Sequence, residues 1–138
     1  MKKLVSIWAF MIVVTMGVIM VGCGSGLEPK TELLVKQTYF DDLKNEGWSD
    51  LVLSDVYVIK YYGTFDDCVV VMMSTKKSMY TQALWKEEVG GVIINYSNGN
   101  RILAWKENKF YELQEAFNNE FLTKTNLEII AQKQNGKQ

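Results

Sequence analysis

The strands written into residues 55–75 need cover on two sides. "DVYVIKYY" and "CVVVMMS" are dense in β-branched and aromatic residues, and the turn-forming "GTFDD" between them predicts a hairpin. In the first strand Tyr57, Ile59 and Tyr61 alternate with Val56, Val58 and Tyr62, so neither side is polar, and the second strand is apolar almost throughout. A sheet of such strands has both faces covered by its own chain, or one face left for a partner. Cys68 opens the second strand as a small core residue, with no histidine or lysine cluster nearby to activate the thiol.

Helices are predicted on either side of these strands. Glu28-Pro29 suits a helix start, because the N–H that proline lacks is unused in the first turn. Leu33, Tyr39, Phe40 and Leu43 then recur at helical spacing until "NEG" at 45–47 supplies a glycine stop. "TQALWKEEV" reads as a short edge strand, with a loop as the alternative. In "VIINYSNGNRILAW", Asn98-Gly99 predicts a two-residue hairpin turn joining residues 92–96 to 101–105. "FYELQEAFNNEF" predicts a helix with Leu113, Ala116, Phe117 and Phe121 on one stripe, broken at Asn118-Asn119. Thr123 is then an N-cap, flanked by the Leu122 and Leu127 pair of a hydrophobic staple, for a last helix through about Gln132. The expected fold class is α+β: an N-terminal helix, an antiparallel sheet of four to five strands and a C-terminal helical pair, forming one domain over 30–133 with a polar tail at 134–138.

The N-terminus is of another kind. Lys2 and Lys3 precede a stretch, 4–22, with no charge and only Ser6 and Thr15 as polar side chains, the layout of a secretory signal. Met20-Val21-Gly22-Cys23 closes it as a lipobox, the site at which a bacterial lipoprotein receives diacylglycerol on cysteine and is cut in front of it. Gly22 and Gly24 leave the bond accessible, and Met20 stands where such sites usually carry leucine. This predicts a signal peptide over 1–22, lipid attachment at Cys23, a tether over 23–29, and export to the outer face of the cell membrane. Two other readings stay open: an uncleaved anchor, since a run of 19 uncharged residues is just long enough to span a bilayer, and an ordinary cleaved signal. Without the leader the 15 basic residues fall to 13 against 16 acidic ones, taking the net charge from −1 to −3. With no basic stripe to meet phosphates, nucleic acid is not an expected partner.

The chain has no histidine, which removes the commonest general base and metal ligand together. The pairs Asp41-Asp42, Asp66-Asp67 and Glu87-Glu88 are adjacent residues, which diverge on a strand or helix rather than converging. Asp66-Asp67 lacks the further oxygen ligands that calcium takes, and Gly90-Gly91 lacks the lysine and following helix of a phosphate loop. No catalytic residue, metal or cofactor is expected. What remains is aromatic: Trp85 and Tyr80 in the ambiguous connection, with Trp105, are the candidate contacts for a protein or glycan partner.

From Tyr61 to Leu122 the segments "YYGTFDDCVVVMMS", "GGVIINYSNGNRILAWKENKFYELQEAF" and "FLT" resemble a group of small exported proteins, often lipid-anchored, of Gram-positive bacteria. Their shared pattern is a YYGTY hairpin with a valine-rich second strand, a further strand and turn, then "WK.GKFY.L.EAY" and a helix start. Asn108 stands here where a glycine is usual, and asparagine tolerates the same left-handed backbone. The resemblance implies the fold and an envelope location. The group has no agreed activity, so no catalytic residue carries over. The resulting expectation is a lipid-anchored, non-catalytic binding or interaction module. The alternatives are an inhibitor or immunity-type protein that uses an open sheet face, and a histidine-free glycan hydrolase that needs two acids converging in a cleft.

Overall fold

A computed structural model describes residues 26–76, 85–96 and 100–135. Residues 1–25, Cys23 among them, lie outside these, as do Tyr80, the Asn98-Gly99 turn and the last three residues of the tail. The fold is α+β. In chain order it comprises α1 (Pro29–Asn45), a 3-10 turn (Leu53–Asp55), β1 (Val56–Phe65), β2 (Cys68–Thr75), β3 (Trp85–Val89), β4 (Val92–Tyr96), β5 (Ile102–Lys106), β6 (Lys109–Glu112), α2 (Leu113–Asn118) and α3 (Lys124–Gln134). Strands β1, β2, β5 and β6 form one antiparallel sheet in the order β1-β2-β5-β6, and β3-β4 forms a separate two-stranded ribbon.

Both faces of the four-stranded sheet are covered. Alternation along β2 sends Val69, Val71 and Met73 to one face, where they pack with Val35 and Leu43 of α1, Leu27, Leu51 and Trp105. It sends Cys68, Val70 and Met72 to the other, where they meet the ribbon (Val89, Val92, Ile94, Tyr96) and the helical pair (Leu113, Ala116, Leu127, Ile130). The open sheet face required by the inhibitor reading is therefore absent among the described residues. Leu27, inside the segment expected as tether, is 8% exposed and belongs to the α1-side core.

Four details differ from the sequence reading. In β1 the register slips between Val58 and Lys60 and again between Tyr61 and Gly63. These bulges move Tyr61 to the α1 side with Val56 and Val58, and put Tyr62 with Ile59 on the other, so strict alternation fails. The freed Tyr62 carbonyl accepts a bond from Lys133 Nζ (2.8 Å), while Lys60 Nζ donates to the Lys133 carbonyl (2.8 Å), tying the end of α3 to the sheet. Second, Val92–Tyr96 does not pair with 101–105: β4 pairs with β3 through Gly90-Gly91, and β5 pairs with β2 and β6. Third, "KFYE" at 109–112 is a strand and not the start of a helix, because Glu107 and Asn108, at φ +52° and +64°, turn the chain back along β5. Leu33, expected on the buried stripe of α1, is 54% exposed.

Thr123 caps α3 as expected. Its Oγ1 accepts from Asn126 N–H (3.1 Å) and Asn126 Oδ1 accepts from Thr123 N–H (2.9 Å), satisfying two end donors reciprocally. Thr123→Ala is expected to lower unfolding free energy by about 1 kcal/mol, read by urea denaturation.

Candidate functional site

The ribbon places the candidate residues. Its β3-β4 turn, Gly90-Gly91, has both φ angles positive (+55° and +83°), as a two-residue hairpin turn demands. The resulting register sets Trp85 opposite Tyr96. Their rings stack at 4.2 Å with an interplanar angle of 10°. Two residues along the same face, Glu87 accepts a hydrogen bond from Tyr96 Oη (3.0 Å). Arg101, just before β5, lies 5.0 Å from the Trp85 ring, and its Nη1 is 3.2 Å from Glu87 Oε2 and 3.5 Å from Glu112 Oε1. One guanidinium thus links the ribbon to the edge strand β6 and covers the indole, a cation–π contact as well as an ion pair.

Tyr96 is 1% exposed. Burial is the main cause that pushes its phenol above the usual tyrosine range, with the Glu87 charge and hydrogen bond acting in the same direction. The phenol therefore stays neutral and remains a donor to Glu87. Glu87 and Glu112 do converge, but on Arg101, which sits between them and offsets one of their two charges. The arrangement offers a partly exposed indole, a guanidinium and two carboxylates for contact, with both carboxylates in ion pairs to the one guanidinium and a net charge of −1.

The sequence candidates separate. Trp85 lies in this cluster. Trp105 is 8% exposed, on the opposite face of the sheet, with Nε1 donating to Thr38 Oγ1 of α1 (3.0 Å). It is a core residue and not a surface contact, because β5 directs it toward α1. Tyr80 and Cys23 fall outside the described residues. Glu87, Arg101 and Glu112 were not anticipated; the Gly90-Gly91 turn, which pairs β3 with β4, is a signal that would have set Glu87 on the face of Trp85 and Tyr96, and no local signal brings Arg101 or Glu112 to it. Asp66 and Asp67 are exposed and form the β1-β2 turn at φ +54° and +70°. Cys68 is fully buried and its thiol is pushed up to about 11 by that burial, with Lys106 acting weakly against it. Among the described residues no cluster of three or more acidic, cysteine or histidine side chains is placed to hold a metal ion. A hollow lined by Phe117, Asn118, Glu120, Leu122 and Thr123 lies at the corner between α2 and α3, with Glu120 as its one carboxylate. No helix among the described residues is long and apolar enough to cross a membrane.

Comparison of the chain with protein-family models, with curated proteins and with solved structures found no match.

Proposed function

We propose that the protein is a non-catalytic binding module held on the outer face of the cell membrane by a diacylglycerol thioether on Cys23. The observation that carries this reading is the uncharged stretch 4–22 ending at Gly22-Cys23, four residues before Leu27, the first buried side chain described. Two acyl chains on one cysteine supply durable attachment, where a single chain holds only marginally. The absence of histidine from the chain, the inert buried thiol of Cys68 and the paired state of Glu87 and Glu112 support contact over catalysis. The contact surface is the Trp85–Arg101 cluster, and its partner is a protein or glycan of the envelope.

Intact mass spectrometry of the membrane fraction tests the anchor. The expected product begins at Cys23 and exceeds its sequence mass by a diacylglycerol; a chain retaining residues 1–22 with an unmodified thiol overturns it. Cross-linking on intact envelopes tests the surface. Trp85→Ala is expected to lose the cross-linked species while the protein, though less stable without the ring stacked on Tyr96, stays folded at the temperature of the experiment by circular dichroism, and equal cross-linking by both proteins removes Trp85 from the site.

A further inference from the structure

Beside the Trp85 cluster, the surface holds a second feature, on α1. Among the described residues five large apolar side chains are exposed: Leu33, Leu34, Val52, Ile93 and Ile129. Only Leu33 and Leu34, at 54% and 44%, are adjacent. Helical spacing puts Lys30, Leu33, Leu34, Gln37, Asp41 and Lys44 on one side of α1, with Gln37 Nε2 donating to Asp41 Oδ1 (3.0 Å), directly away from the side on which Val35 and Leu43 are buried. Nothing in the fold requires leucine there, since an exposed helix position is filled as well by a polar residue of equal helix propensity.

What covers this face follows from the chain that leads to it. Leu27 is locked in the α1-side core, and it lies four positions after Cys23. Four residues reach at most about 14 Å, so the start of α1 is confined close to whatever plane holds Cys23. Ile93 and Ile129 belong to the ribbon and α3, in the layer beyond the sheet, and are not so confined. We infer that the Leu33-Leu34 face of α1 docks on the lipid surface beside the anchor. The inference rests on the membrane attachment proposed above. Two half-exposed leucines bind a bilayer weakly by themselves, but a tether this short makes the contact intramolecular, at an effective concentration on the order of millimolar. Lys30, on the same face, can run its stem along the surface and keep its ammonium among anionic headgroups. Docking in this way sets the domain's orientation. With α1 against the lipid, the sheet lies above it, and the ribbon with Trp85 and Arg101 occupies the layer facing away from the membrane.

The full chain, isolated with its own anchor and reconstituted in vesicles of phosphatidylcholine and phosphatidylglycerol, tests this. An environment-sensitive fluorophore is placed through Gln37→Cys, and in a second protein through Glu128→Cys on the exposed side of α3. A headgroup-attached lipid quencher is expected to act at least roughly threefold more strongly at position 37 than at 128. Combining Leu33→Gln with Leu34→Gln is expected to abolish that difference while leaving membrane attachment and far-UV circular dichroism unchanged. Equal quenching at the two positions, or a difference that survives the double substitution, overturns the inference. Intact mass of the same sample reads the state of Cys23 separately. If the thiol is unmodified and residues 1–22 remain, the lipid anchor fails; Cys23→Ser is then added to both labelled proteins so that the fluorophore stays at 37 or 128, the reach to Leu27 is the same and the quenching ratio still decides the docking.

Discussion

Replacing Gly90 by alanine is expected to destabilise the protein by about 2–4 kcal/mol, whereas Gly91→Ala is expected to cost about 1 kcal/mol. Both residues have positive φ, so both substitutions meet the left-handed penalty of an L-residue. They differ in what surrounds them. A Cβ on Gly90 would lie 2.9 Å from Cε1 and Cζ of Phe117 and 3.0 Å from Cδ1 of Leu127. Leu127 is fully buried in the core beneath the ribbon and has little room to yield, while the half-buried Phe117 ring can tilt outward and relieve part of the overlap. A Cβ on Gly91 meets only Lys124 Nζ, at 3.9 Å. Urea denaturation of the two variants measures the difference directly, and equal losses would show that the turn is not wedged against α2 and α3. The wedge matters to the site because β3 and β4, joined by this turn, carry Trp85, Glu87 and Tyr96.

The same turn explains how the sequence misleads about the sheet. Asn98-Gly99 is a strong hairpin signal between two apolar runs, and it lies eight residues after Gly90-Gly91, which has the same capacity for two positive φ angles. Local turn chemistry cannot choose between them, since the choice depends on which strands bury more against the rest of the fold. Pairing β4 with β3 leaves β5 free to add to β2, where Val70↔Ala104 and Val71↔Leu103 are opposed in the centre of the sheet. The strand "KFYE" is hidden for a related reason. Phe110 and Tyr111 fall on opposite faces of the sheet, and with Leu113, Ala116 and Phe117 following at once, the apolar spacing runs from strand into helix without a break. By contrast the Asp66-Asp67 hairpin, the stop of α1 and the Thr123 cap are set by residues within a few positions of one another, and these were legible.

The candidate site was half legible. Trp85 drew notice as an aromatic in an ambiguous connection. Trp105 had the same chemistry and was indistinguishable from it until β5 acquired two neighbours and a facing helix. Glu87 and Arg101 are 14 residues apart and meet only because the ribbon folds back over the sheet edge. Contacts of that range depend on topology, which no periodicity reports.

Alkali is expected to lower the stability of this protein in two stages, beginning near pH 9. Cys68, Tyr62 and Tyr96 are all essentially inaccessible to solvent, at 0%, 0% and 1%. Burial pushes the Cys68 thiol from its ordinary 9.0 up to about 11, and it raises both phenols well above their ordinary 10.0. Each group is therefore neutral in the fold at a pH where the unfolded chain has already released its proton. The sign follows: the stability each contributes is complete below the unfolded value and is lost as pH rises toward the folded one. Between pH 9 and 10 the thiol alone acts, with a slope approaching one proton, about 1.4 kcal/mol per pH unit. Above pH 10 the two phenols join while the thiol begins to ionise in the fold as well, so the slope steepens to about two protons, about 3 kcal/mol per unit, enough to exhaust the stability of a marginal domain within two or three units. Urea denaturation at intervals from pH 7 to 11 measures both stages. Cys68→Ala is expected to flatten the first and leave the second, which separates the thiol from the tyrosines. A wild-type stability that stays level through pH 10 would mean that Cys68 ionises in the fold as readily as in water, contrary to its full burial in the core beneath the sheet.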